Sequence, residues 1–180
     1  MLSHLLLISG STRTGSTNTA VLRTVQTLLP VGVTATLYRG LSTLPAFSPD
    51  VGEHAAAAAA EQLRSEIDRA AAVLFCTPEY AGALPGSLKN LIDWTVGGGE
   101  LYRKPVAWIN VAQSGRGSGA HAELTKVLGY VDAHVLRPGG FLVPVDRTAV
   151  GPDGLVTDED VLRQLREVLE AILTLVGSLV

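Results

Sequence analysis

Short runs of apolar and β-branched residues alternate with longer helical stretches along this chain, and few folds accept that alternation. Leu5-Leu6-Leu7-Ile8 is a bounded apolar run that stops at Ser9-Gly10. Val33–Tyr38, Ala72–Cys76 and Pro105–Val111 come next, and Val135–Val145 contains a fifth run whose limits are blurred by Pro138, Gly139 and Gly140. Helical stretches lie between them. The first is capped at Thr17 or Asn18 and runs to about Leu29, where Pro30 and Gly32 close it; the second covers Glu53–Ala70. Others run from Pro85-Gly86 through Val96, stopped by Gly97-Gly98-Gly99, and from Ala120 to Val131. Thr157-Asp158-Glu159-Asp160 reads as a capping box for a last helix over Val161–Val176. Strand and helix in strict alternation give parallel strands joined by crossover helices. Parallel strands are covered on both faces, which is why such runs are continuously apolar rather than alternating.

The predicted fold is a single α/β domain over residues 1–180. It is a doubly wound five-stranded parallel sheet, order 2-1-3-4-5, with helices on both faces, the flavodoxin-like arrangement. No repeat or linker divides the chain. With 47% apolar and 17% charged residues, it carries enough hydrophobic surface for a packed core and too much for disorder. A net charge of −3 and scattered Lys and Arg provide no basic footprint, so no nucleic-acid partner is expected. Leu5–Ile8 has no Lys or Arg ahead of it and is too short for a signal core or a membrane span, and Ala55–Ala60 reads as helix. Cys76 is the only cysteine, so no intrachain disulfide forms. The expectation is a cytoplasmic protein with no membrane partner.

In an open parallel sheet, ligands sit beyond the carboxyl ends of the strands, near the point where strand order reverses. The loops after the first, third and fourth strands hold the densest clusters of Gly, Ser, Thr and Pro. The first, Gly10-Ser11-Thr12-Arg13-Thr14-Gly15-Ser16-Thr17-Asn18, leaves a strand and opens a helix. Its free N–H groups and the helix dipole favour an anion, and Arg13 can grip a phosphate. It is neither a Walker loop nor the Gly-x-Gly-x-x-Gly fingerprint, and on local grounds an ordinary capped turn stays open. The second, Thr77 to Asn90, is stiffened by Pro78, Gly82, Pro85 and Gly86. It suits either a backbone platform for a planar ring or a rigid turn seating a helix. The third, Gln113-Ser114-Gly115-Arg116-Gly117-Ser118-Gly119, reads equally as a loop closing over a ligand or as a plain connection. Arg116 is there either a nucleotide-phosphate contact or a solvated surface arginine.

The first loop matches the pattern Gly-Ser-x-Arg-x-x-Ser-x-Asn, and the second resembles Pro-Glu-Tyr-Asn-x-x-x-Pro-Gly-x-Leu-Lys-Asn-x-Ile-Asp-Trp. Leu44-Pro45-x-Phe47, with Asp50, lies between them. In these motifs, from Leu5 to about Gly119, the chain resembles the NAD(P)H-dependent FMN reductases, whose relatives reduce quinones, azo dyes and chromate. The resemblance implies that Ser11, Arg13, Ser16, Thr17 and Asn18 hold the FMN phosphate. It also implies that Pro78, Glu79, Tyr80, Ala81 and Gly82 flank the isoalloxazine ring, with Ser114 and Gly115 over its other side. One departure stands out: Ala81 occupies the place of the family's Asn.

The same resemblance implies an enzyme that passes hydride from NADPH or NADH through FMN to a small acceptor. Free flavin, a quinone, an azo compound and a metal oxyanion are the candidates, and a homodimer or homotetramer is implied. The cofactor carries the chemistry, so no catalytic side chain is expected. The other readings are a flavodoxin-type electron carrier and an FMN-binding protein without turnover. Flavodoxins surround FMN with acidic surface and aromatics, and only 5% of this chain is aromatic. His4, His54, His121 and His134 show no ligand spacing, so no metal is expected. Cys76 ends a core strand and reads as packing, and Lys89 and Asp93 form an i,i+4 pair.

Overall fold

The computed structural model describes residues 3–50, 55–137 and 140–178, with backbone alone for 55–57. The helix start expected at Glu53, His54 and the Pro138-Gly139 break lie outside the described residues. The elements are β1 (Ser3–Ser9), α1 (Thr17–Thr27), β2 (Val33–Leu37), α2 (Ala55–Arg69), β3 (Ala72–Cys76), α3 (Gly86–Val96), β4 (Pro105–Asn110), α4 (Ser118–Tyr130), β5 (His134–Val135), β6 (Phe141–Leu142) and α5 (Glu159–Ser178). The sheet runs β2-β1-β3-β4-β5, with β6 also on β4, and every pairing is parallel. This is the flavodoxin-like order. Strand order reverses at β1, which lies between β2 (Leu5 beside Ala35) and β3 (Leu5 beside Ala72).

The side chains of each strand divide between two cores. Leu6, Ile8, Val73, Phe75, Val106 and Trp108 pack under α2, α3 and α4. Leu5, Leu7, Leu74, Cys76, Ala107 and Ile109 pack under α1 and α5. Strand side chains alternate faces, so burial on both sides requires the unbroken apolar runs seen in the sequence. Along α5, Val161, Leu165, Val168, Leu169, Ile172 and Val176 recur every three or four residues and lay one stripe on the sheet. Each fully buried Leu, Ile or Phe contributes about 1.5–3 kcal/mol relative to exposure, more than the net value of a ladder hydrogen bond. Among the described residues no helix is long and apolar enough to cross a membrane.

The structure differs from the sequence expectation at three boundaries. The fifth strand is two fragments of two residues each, β5 opposite Pro105-Val106 and β6 opposite Ile109-Asn110, so the count is six rather than five. Fragments that short are below the length at which a hydrophobic pattern shows. The N-cap of α1 is Ser16, not Thr17 or Asn18, and it makes no side-chain cap bond. Asn18 is turned to the sheet instead, where its Oδ1 accepts from Cys76 Sγ at 3.3 Å. At α5 the cap is Asp158, whose Oδ1 accepts from the N–H groups of Asp160 (3.0 Å) and Val161 (3.1 Å). Thr157 is spent elsewhere, donating its hydroxyl to the Ala149 carbonyl.

At the end of β1 the chain passes so close to β3 that only glycine fits. A Cβ on Gly10 would collide with Thr77 Oγ1 and lie 2.7 Å from Thr77 Cβ, while Gly10 N–H donates to the Cys76 carbonyl at 2.9 Å. This approach seats the first loop beside the second. Gly10→Ala is therefore predicted to cost about 1–3 kcal/mol through overpacking. Urea unfolding measures it, and an unchanged midpoint contradicts the claim.

Candidate active site

The loops after β1, β3, β4 and β6 enclose a cleft of about 780 Å³ beyond the carboxyl ends of the strands. It brings together Ser11, Arg13, Ser16, Thr17 and Asn18 from the first loop, Pro78, Glu79 and Tyr80 from the second, and Gly115 from the third. Ala81, Gly82 and Ser114 are not among its lining residues. Thr77 and Arg116, from the second and third candidate loops, also line it, whereas sequence reasoning missed Asn110 and the Val145–Arg147 segment.

The first loop presents an unneutralised helix N-terminus. No acidic residue lies in the first turn of α1, its cap residue makes no side-chain bond, and the first N–H bonded to the helix cap is that of Ala20, to Ser16 O at 2.9 Å. Such an end carries about half a positive charge. Ser16, Thr17 and Asn18 are buried polar residues at its tip. Arg13 is exposed, and its guanidinium donates only to the Gly15 carbonyl at 3.3 Å. N–H groups, hydroxyls and a guanidinium beside one helix end are chemically suited to an anion.

The second loop is a tight hairpin. Tyr80 N–H donates to Ala83 O (3.1 Å) and Ala83 N–H donates back to Tyr80 O (3.0 Å), with positive φ at Ala81 (52°) and Gly82 (77°). Two positive φ values between reciprocal bonds define a type I′ turn, for which Asn-Gly is the preferred pair. Ala81 thus occupies a left-handed backbone position, one that asparagine tolerates better than alanine. The hairpin is docked on α4 through Glu79, whose Oε2 accepts from Ala120 N–H at 3.0 Å, and through Glu123, which accepts from Leu84 N–H at 2.6 Å. The N-cap of α4 is Gly117, which has no capping side chain, so Glu79 reaches across to supply the negative charge that this helix end favours. A Cβ on Gly119 would collide with the Gly82 carbonyl, so this contact also demands glycine. His121 lies buried beside it with neither ring nitrogen hydrogen-bonded. Burial pulls its pKa down against the opposing pull of Glu79. Burial pushes the Cys76 thiol far up, which leaves it a packing residue.

Asn110 shapes the third loop. Its Oδ1 accepts from Ala112 N–H at 2.9 Å and its Nδ2 donates to Arg116 O at 3.2 Å, clamping both ends of the segment. A polar residue ending an otherwise apolar core strand was the available signal. The fourth segment is tied to the third by Val145 N–H donating to Val111 O at 3.0 Å. Asp146 Oδ1 then accepts from Thr148 N–H and Oγ1 at 2.9 and 2.7 Å, bonds that hold its carboxyl below the usual range. Its place after the last strand's carboxyl end was the clue to this segment.

A left-handed non-glycine residue costs about 1–2 kcal/mol, and Asn tolerates that region better than Ala. Ala81→Asn is predicted to raise stability by about 0.5–1 kcal/mol. Thermal and urea unfolding measure it, and a loss of stability contradicts the turn assignment.

A family model described as NADPH-dependent FMN reductase matches residues 3–148. The NAD(P)H-dependent FMN reductase of Pseudomonas aeruginosa is 33% identical over 169 residues, covering 92% of this chain and 90% of that protein. The quinone reductase of Escherichia coli is 32% identical over 174 residues, covering 93% and 92%. Among solved structures, the flavoenzyme NAD(P)H:(acceptor) oxidoreductase of Paracoccus denitrificans superposes with a TM-score of 0.84 at 26% identity, covering 98% of each chain. With its sheet order, cleft and both loop motifs in place, the chain belongs to the NADPH-dependent FMN reductase family.

Proposed function

We propose that residues 1–180 act as one FMN-binding unit that oxidises NADPH or NADH and reduces a small acceptor such as a quinone or free flavin. The observation that carries this reading is the bare N-terminus of α1, facing the same cleft as Pro78, Glu79 and Tyr80. The residues fit the cofactor: a single terminal phosphate suits one open helix end with Ser11, Ser16, Thr17, Asn18 and Arg13 around it. The ring would lie against Pro78, Glu79, Tyr80, Ala81 and Gly82, with Ser114 and Gly115 over its other side. Bound FMN would supply the redox chemistry, hydride exchange with a nicotinamide and electron transfer to a small acceptor.

The chain's own groups bind and orient. Arg13 is free to leave the Gly15 carbonyl for a phosphate oxygen, a stronger, charge-assisted bond. Glu79 is held by Ala120 N–H and so acts as a strut between loop and helix rather than as a proton carrier. Phe47, Tyr80, Val96 and Tyr102 are exposed around α3, and this apolar fringe supports assembly as a dimer or tetramer. A reduced nicotinamide co-substrate and a lone thiol fit a cytoplasmic setting.

Arg13→Ala is predicted to weaken FMN binding by about 1.5–3 kcal/mol and to leave riboflavin, which lacks the phosphate, almost unaffected. Fluorescence titration with both ligands reads this, and an equal loss for the two overturns the phosphate assignment. Glu79→Gln keeps a side-chain oxygen to accept the Ala120 bond, and Tyr80→Phe keeps the ring. Each should slow flavin reduction by NADPH less than about tenfold, below the usual contribution of general acid–base catalysis. A hundredfold loss in stopped flow at saturating ligands would place a side chain in the chemical step.

A further inference from the structure

The arginines of the cleft stand on three different loops, only one of which is the phosphate loop. Three arginines line the cleft, Arg13, Arg116 and Arg147. Arg13 belongs to the phosphate loop at the end of β1. Arg116 and Arg147 stand on the loops after β4 and β6, which Val145 N–H joins to Val111 O. None of the three pairs with a carboxylate among the described residues, where the ion pairs are Arg64–Glu100, Lys89–Asp93 and Arg163–Asp160.

The cleft's two carboxylates, Glu79 and Asp146, keep their charge, but neither forms an ion pair with these arginines. Glu79 accepts from the N–H at the start of α4, and Asp146 Oδ1 is occupied by both donors of Thr148. Both segments are shaped from beneath. Asn110 Nδ2 holds the Arg116 carbonyl, and the Asp146–Thr148 cap turns the chain into a short 3₁₀ segment, Arg147–Ala149. The backbones presenting the two guanidiniums are therefore fixed, which lowers the ordering cost of gripping a phosphate.

We infer that Arg116 and Arg147 form a second anion site that recognises the 2′-phosphate of NADPH and sets the preference for NADPH over NADH. The inference rests on the flavin reading of the cleft, since it assigns to a second ligand the arginines that stand outside the phosphate loop. The pyrophosphate is common to both nucleotides, so discrimination falls to the 2′ group, a dianion suited to two guanidiniums. Asp146 sets the opposing possibility, because a carboxylate at such a position can instead accept a ribose 2′-hydroxyl and favour NADH.

The test uses FMN-loaded protein and two adenylates that differ only by the 2′-phosphate, 2′,5′-ADP and 5′-AMP, with calorimetry as a readout independent of turnover. Wild type should bind 2′,5′-ADP about tenfold or more tightly than 5′-AMP, and Arg116→Ala with Arg147→Ala should remove that gap. In steady state the same pair should raise KM for NADPH by about tenfold or more while kcat and the NADH parameters stay within about twofold. Arg166→Ala, on α5 beside Leu28 and Pro30, removes one charge away from the cleft and should change neither. Equal binding of the two adenylates by wild type, a wild-type preference for NADH, or equal losses for NADH and NADPH in the variants would each overturn the inference. A loss of FMN affinity in the variants would overturn it too, by assigning these arginines to the flavin. Failure of wild type to bind FMN at all would instead defeat the reading of the cleft itself.

Discussion

The site depends on two contacts at which no side chain can stand. Gly10 lets the end of β1 lie against Thr77, and Gly119 lets the start of α4 lie against the Gly82 carbonyl. Between them the hairpin after β3 is held from both sides, by the first loop and by the fourth helix. Protein interiors are too densely packed to absorb an added methyl group at such points without a shift. Loop spacing in the cleft is therefore set by close backbone approach, to the Thr77 side chain at one glycine and to the Gly82 carbonyl at the other. A planar ligand needs that kind of rigid, thin-walled slot, and flexible side chains at these points would not provide it.

A second organising feature is an asymmetry between two helix ends. Neither α1 nor α4 supplies a capping side chain of its own. At α4 the deficit is met from the neighbouring hairpin, where Glu79 accepts the Ala120 N–H. At α1 no acid lies in the first turn, and buried hydroxyl and amide groups surround an open end. The same electrostatic need is thus satisfied internally at one helix and left open to an anion at the other. That difference separates a structural carboxylate from a ligand site, although both belong to equally conspicuous motifs.

Much of this was legible in the sequence. Runs such as Leu5–Ile8 and Ala72–Cys76 are buried on both faces, so their continuity identified parallel strands and with them the end of the sheet where the cleft lies. The hydroxyl-rich turn at Ser11–Asn18 was readable because a strand-to-helix turn exposes its N–H groups whatever the tertiary setting. The split of the last strand was not, since two-residue fragments derive their conformation from β4 rather than from their own pattern. Asn110 and Arg147 were missed for a related reason. Asn110 acts through a loop whose closure on the Arg116 carbonyl is a feature of the fold, and Arg147 is brought to the cleft by the distant Val145–Val111 bond. That Ala81 sits at a left-handed turn position is likewise shown by φ and not by residue identity.

The central claim is that this cleft, loaded with FMN, carries electrons from a reduced nicotinamide to a small acceptor. The most direct measurement is an anaerobic titration of FMN-loaded protein, following flavin absorbance first on adding NADPH and then on adding a quinone. The account predicts bleaching by the nucleotide and full recovery with the quinone, over repeated cycles and only with protein present. Flavin that stays oxidised under excess NADPH and NADH would contradict it.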